Sequence, residues 1–174
     1  MKPVRAFVAE RAAAQHCAEL VRRGPAPDEM LPALTRAGEQ LARLLAAALA
    51  PLIGGEAPEM RALPAARGTA DDLAALIAPL AANSLLGLGP QGTPLLASLD
   101  AGAVLRMVDR AFGGKGDAPE MLPVAFPLSA ELMIARLETL VAARLAAVLE
   151  CSHAPTALRR AGTLADLAPF APGT

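Results

Sequence analysis

The sequence predicts an α/β fold of the α+β kind, in which one-sided helices accompany a small antiparallel hairpin. Three observations predict it. Apolar residues recur at alternating spacings of three and four within 31–52, 104–112 and 134–148, the pattern of helices with one buried stripe. Two short apolar runs, SLLGL and PLLASL, flank the turn-rich GPQGT, the pattern of a β-hairpin. The 174 residues are enough to bury a core. Hydrophobic residues make up 54% of the chain, mostly Ala and Leu, with four Phe and no Trp or Tyr, so that core is aliphatic.

The elements follow in order. Residues 3–23, PVRAFVAERAAAQHCAELVRR, are predicted to form a first helix, with Pro3 suited to the first turn and Arg22 and Arg23 to the negative end of the dipole. Gly24, Pro25 and Pro27 break it. A second helix places Leu31, Leu34, Gly38, Leu41, Leu45, Ala48 and Leu52 on one stripe and stops at Gly54 and Gly55. That stripe packs either on the first helix or on a sheet. EMRAL, 59–63, reads as a short edge strand, and Thr69 with Asp72 as the N-cap of a short helix, DDLAALIA, closed by Pro79. The hairpin comes next, built from Leu where Val or Ile would be stronger strand formers.

Asp100 is a natural N-cap for AGAVLRMVDRAF. Val104, Leu105, Val108 and Phe112 share one face of that helix, and Arg106, Asp109 and Arg110 the other. The helix runs into GGKG. After the loop DAPEMLPVAFPLS, a longer helix is predicted from Ser129, as its N-cap, to about Glu150. Its buried stripe is Ile134, Leu137, Val141, Leu145 and Val148, and Glu131, Arg136, Glu138 and Arg144 form a solvated face. The chain thus divides into a helical N-terminal extension (1–27), a central region (28–150) and a Pro/Gly-rich, partly ordered tail (151–174).

Charge and composition exclude several function classes. With 16 basic and 17 acidic residues the net charge is −1, which leaves no cation excess for a phosphate backbone. Without Tyr or Trp there is little to stack on bases, so nucleic acid is not an expected partner. Cys17 and Cys151 are far apart and lack a CxxC, which argues against a disulfide framework or structural zinc and sets a reducing cytoplasm as the default. Arg5, Glu10 and Arg11 interrupt the stretch a signal peptide would keep apolar. The uncharged run between Asp72 and Asp100 carries Pro79, Gly87, Gly89, Pro90 and Pro94, whose neighbouring backbone groups could not be satisfied in lipid, so no membrane insertion is expected.

The segment DRAFGGKGD, 109–117, raises three readings: a phosphate cradle, a helix stop, or a surface for another protein. A P-loop needs a preceding strand and a Lys followed by Ser or Thr; here a helix precedes and Lys115 is followed by Gly116. Gly113 suits a left-handed helix cap. Capping leaves Gly114 and Gly116 over, and extra glycines cost conformational entropy, so a partner that needs bare backbone is the remaining reason. His16 and His153 lie in different elements without ligand spacing, and Ser84, Ser98, Ser129 and Ser152 lack a GxSxG context. No metal, cofactor or catalytic residue is expected.

The run NSLLGLGPQGTPLLASLDAGAVLRMVDRAFGGKG resembles the central (middle) domain of the FliM family of flagellar motor switch proteins, whose helix reads LVDxxFGGxG. Val108, Asp109, Phe112, Gly113, Gly114 and Gly116 fall on that pattern, and the resemblance spans roughly 31–150. It implies a CheC/FliM-middle-domain-like fold, helices packed on a small antiparallel sheet, of which about one pseudo-symmetric half is present, as in a fragment or a divergent short paralogue. It implies a non-enzymatic place in the cytoplasmic C-ring, other copies of the chain as ring neighbours, and a FliG-like rotor protein as partner. The family's GGxG loop contacts FliG, which carries over to Gly113, Gly114, Lys115 and Gly116, with Asp109, Arg110 and Phe112 flanking. The acidic N-terminal peptide that binds phosphorylated CheY and the domain that pairs with FliN are missing from the pattern.

Two alternatives share the resemblance. One is a type III secretion ring component of the same superfamily. The other is a CheC-type phosphatase, which needs Glu and Asn three residues apart on a helix; here Glu131 is followed by Ile134, which cannot orient a water.

Overall fold

The computed structural model describes residues 27–87, 94–149, 156–161, 164 and 167. The predicted helix at 3–23, the GPQGT turn, both histidines and both cysteines lie outside them. Helix α1 runs Pro27–Leu49, with Asp28 and Glu29 at its positive end. It tightens into a 3-10 turn, Ala50–Leu52. Gly54 and Gly55, at φ of 93° and 94°, then reverse the chain.

Residues 56–69 run back along α1. The Ala65 N–H donates to Thr35 Oγ1 at 3.0 Å, and Arg67 reaches Asp28 at 3.4 Å. The edge strand expected at 59–63 is therefore absent. Pro58 and Pro64 bracket it, each without an N–H for a ladder, and Leu63 is exposed, so pairing would bury little.

Helix α2, Ala70–Leu76, opens with the expected cap, here a full capping box. The Asp72 N–H donates to Thr69 Oγ1 at 3.2 Å, and Asp72 Oδ2 accepts from the Thr69 N–H at 2.8 Å. The helix stops at Leu76 with Ile77 extended, so it ends before Pro79, which has no N–H to continue it.

The hairpin forms as expected. Strand β1, Ala81–Gly87, pairs antiparallel with β2, Pro94–Asp100, in the register Ala81↔Asp100 through Gly87↔Pro94. A third strand, β3, Thr156–Ala161, lies on the other side of β1, giving the order β2-β1-β3. It comes from the region read as a Pro/Gly-rich tail, in which Leu164 and Leu167 are also buried.

Asp100 ends β2 and caps helix α3, Ala101–Ala111, its Oδ1 accepting the Ala103 N–H at 2.9 Å. Helix α4, Leu128–Val148, packs on α1, α3 and the sheet. Its N-cap is Pro127 and not the expected Ser129: Ala130 and Glu131 donate their N–H groups to the Pro127 carbonyl, so the first turn forms two residues earlier. Leu49 of α1, Ala82 of β1, Val104 of α3 and Ala130, Met133, Ile134 and Leu137 of α4 form the core. Among the described residues, four α-helices thus pack with a three-stranded antiparallel sheet, an α+β fold.

Candidate functional site

The loop after α3 is built by the last turn of that helix. The Gly113 N–H donates to the Arg110 carbonyl at 3.0 Å and the Gly114 N–H to the Asp109 carbonyl at 2.9 Å, a Schellman closure with Gly113 at φ 88°. The chain then folds back. Asp109 Oδ2 accepts the Gly116 N–H at 2.8 Å, and the Arg110 stem lies across Gly116 while its guanidinium pairs with Glu56 at 3.1 Å.

This geometry accounts for all three glycines within the chain. A Cβ on Gly114 would overlap the Asp109 carboxylate. A Cβ on Gly116 would come within 2.8 Å of Arg110 Cγ, on a backbone already at φ 86°. The sequence reading gave only Gly113 an internal role; Gly114 and Gly116 have one too, since they let the last turn of α3 grip its own loop. Asp109 and Arg110 are half-buried braces and not the open helix face expected of them.

The seven candidate residues are brought together but divide by orientation. Asp109, Arg110 and Gly116 hold the loop; Phe112, Gly113, Gly114 and Lys115 are exposed. Lys115 makes no ion pair among the described residues. Phe112, expected on the apolar face of its helix, is 82% exposed. It caps the helix end at φ −93° and ψ 9° and borders a depression of about 320 Å³ shared with Val108, Leu132 and Met133. On the opposite side, Ile53, Met107, Arg110 and Lys115 line a smaller notch of about 210 Å³.

The second carboxylate group lies on α4. Glu131 and Glu138, read as a solvated face, are gripped by Arg160 of β3. Its Nε donates to Glu138 Oε1 at 2.6 Å and its Nη1 to Glu131 Oε2 at 2.9 Å. Nη2 also donates to Glu138, which accepts a further hydrogen bond from Ser84 of β1. Burial pushes the Glu138 carboxyl up, but the bonds from Arg160 and Ser84 and the guanidinium charge outweigh it, holding the group below its ordinary value. No sequence spacing could signal this, because Ser84 and Glu138 are 54 residues apart. Ile134, at the position a CheC-type phosphatase would need as Asn, is fully buried, and the Glu131 carboxylate is engaged by Arg160.

Because the folded-state pKa of Glu138 is depressed, its contribution to stability is fully present above the unfolded value of about 4.3 and is lost as pH falls through the folded value. Urea midpoints measured between pH 7 and pH 3 should therefore fall more steeply in the wild type than in Glu138→Gln. Parallel curves would show that the group carries no such linkage.

No family model matches the sequence, and no curated protein does. Solved structures do. A chain of the FliG–FliM complex from H. pylori superposes with a TM-score of 0.74 at 16% identity, over 83% of this chain and 79% of that one. The FliM middle domain from H. pylori matches with a TM-score of 0.58 at 13% identity, over 79% and 74% of the two chains. The chain has the fold of the FliM middle domain. A chain of the FliM–SpeE complex from the same organism agrees, with a TM-score of 0.59 at 12% identity over 79% and 71%. In this FliM-like fold the GGKG loop ends α3 and leads toward α4. Among the described residues, no helix is long and apolar enough to cross a membrane, and no group of three His, Cys, Asp or Glu is placed to hold a metal.

Proposed function

We propose that the chain is a non-enzymatic assembly module of the flagellar motor switch, working in the cytoplasmic C-ring in motility and chemotaxis, and that it binds a FliG-like rotor protein through the loop 112–116. The observation that carries this reading is the braced loop itself. Asp109 and Arg110 fix the backbone from within, so Phe112 and Lys115 stand exposed on a loop that needs little ordering when a partner arrives. An exposed aromatic on a fixed loop is a typical anchor, and a free lysine beside it steers an acidic partner. That one fold neighbour is a chain of a FliG–FliM complex supports the flagellar assignment over a secretion ring.

Titration with the FliG protein of the same genome tests the proposal. Phe112→Ala should weaken Kd about 10-fold, the loss of one anchor side chain. Lys115→Glu should slow association and flatten its salt dependence more than it changes dissociation. Unchanged affinity in both variants, with helicity intact by circular dichroism, would sink the loop assignment. A phosphatase would instead speed the decay of phosphorylated CheY; no acceleration is expected.

A further inference from the structure

Helix α1 carries an apolar stripe that is covered at one end and open at the other. At about 100° per residue, Met30, Ala33, Leu34, Ala37, Leu41 and Leu44 fall within one arc of about 100° that holds no charged residue. Glu29, Arg36, Glu39, Gln40 and Arg43 fall outside it. At its C-terminal end the helix joins the core through Leu49, beside Met133, Ile134 and Leu137 of α4. Near its start, Met30 and Leu34 remain 42% and 45% exposed. There Met30, Ala33, Leu34 and Ala37, with Val148 and Leu149 from the end of α4, line a groove of about 390 Å³ that has Glu29 at its rim. From Met30 to Ala37 it runs about 10 Å along the helix.

The stretch of chain that leads into α1 has the shape and length to fill this groove. Written as a helix, residues 13–21 bring Ala13, Ala14, Cys17, Leu20 and Val21 into one arc of about 120°. Gln15, His16, Glu19, Arg22 and Arg23 fall on the other side, and Glu10 ends the apolar arc one turn earlier. Nine residues span about 12 Å, which matches the groove. Only Gly24, Pro25 and Ala26 separate Arg23 from Pro27, a connection of the length that joins antiparallel helices. In a hairpin turning at Pro25, positions equally far from the turn meet. Leu20 then faces Met30, Cys17 faces Ala33, and Ala13 faces Ala37, where paired alanines let the backbones approach. The basic end of the segment, Arg22 and Arg23, comes to the acidic first turn of α1, Asp28 and Glu29.

We propose that residues 13–21 fold back as a helix and dock antiparallel in the groove between the start of α1 and the end of α4, burying Cys17 against Ala33 and Leu34. The N-terminal extension is then a fixed part of the domain. It sits about 28 Å along α1 from Leu49, at the end of the helix remote from the GGKG loop, and leaves that loop free. The docking does not rest on the reading of the loop.

The thiol of Cys17 reports the contact. In the full chain, maleimide labelling followed by peptide mass spectrometry should modify Cys17 about 10-fold more slowly in buffer than in denaturing urea. Leu34→Arg, at a half-exposed position outside the core, should restore fast labelling while cooperative unfolding is retained. Leu34→Met should keep it slow, and so should Arg36→Glu on the polar side of the same turn. Cross-linking supplies a second measurement. With Cys151→Ser leaving Cys17 as the native thiol, copper-phenanthroline oxidation of Ala33→Cys should close a disulfide within one chain, because facing positions of a close helix pair lie within disulfide reach. Glu39→Cys, on the opposite side of α1, should not close one. Labelling of wild-type Cys17 at the denatured rate, or no acceleration in Leu34→Arg, overturns the proposal. So does equal cross-linking from positions 33 and 39, or a disulfide that joins two chains, because the occupant is then a second copy.

Discussion

Replacing Arg160 with alanine is expected to lower the free energy of unfolding by about 2–3 kcal/mol, read from urea denaturation at pH 7. Removing one partner from a charged, hydrogen-bonded group strands the other. Glu138 would keep its carboxylate at the sheet–helix interface with only Ser84 to satisfy it. The Arg160 side chain is 32% exposed, so the loss stays below the 3–5 kcal/mol typical of a fully buried pair. Glu131→Gln removes only the charge from the outer contact, on a side chain that is 45% exposed, and should cost roughly 1 kcal/mol or less. A loss in Arg160→Ala no larger than in Glu131→Gln would mean that β3 is not held to α4 by this contact.

The second large effect is at Gly114. A methyl group there overlaps the Asp109 carboxylate, so Gly114→Ala forces Asp109 to swing away and give up the Gly116 N–H. Substitution should cost about 2 kcal/mol for a half-buried charged hydrogen bond and its local strain. The loop loses its brace, and affinity for the proposed FliG partner should fall at least 30-fold as the anchor residues lose their fixed position. A double-mutant cycle separates strain from the loss of a partner contact. Asp109→Ala removes both the brace and the obstacle, so adding Gly114→Ala to it should cost almost nothing further in stability or binding. Fully additive losses would show that Gly114 acts through the partner alone, as bare backbone.

These two sites also mark where sequence reasoning reaches and where it stops. Thr69 with Asp72, and Asp100 with Ala103, were legible because each bond spans three residues and the side chain that makes it is named by the local pattern. The hairpin was legible because its two apolar runs and the turn between them are contiguous. Ser129 was misplaced as a cap, since an N-cap depends on where the chain enters the helix, and Pro127 already fixes that. EMRAL has the composition of a strand but no neighbour to pair with, because the chain there is tied to α1 by Thr35 and Asp28.

The triple glycine was visible at once, yet its meaning was not. Which atoms would collide with a side chain at Gly114 or Gly116 depends on how the loop curls over the preceding turn, and a residue string does not state that curl. Glu138 was harder still: its partners arrive from β1 and from β3, at separations of 54 and 22 residues. By itself the sequence determined the short-range features, namely the caps, the hairpin and the glycine-terminated helix, because their energetics are settled within a turn or two of chain. The tertiary structure alone decided which glutamates are gripped and which glycines must stay bare. Each of those depends on atoms that only packing brings together.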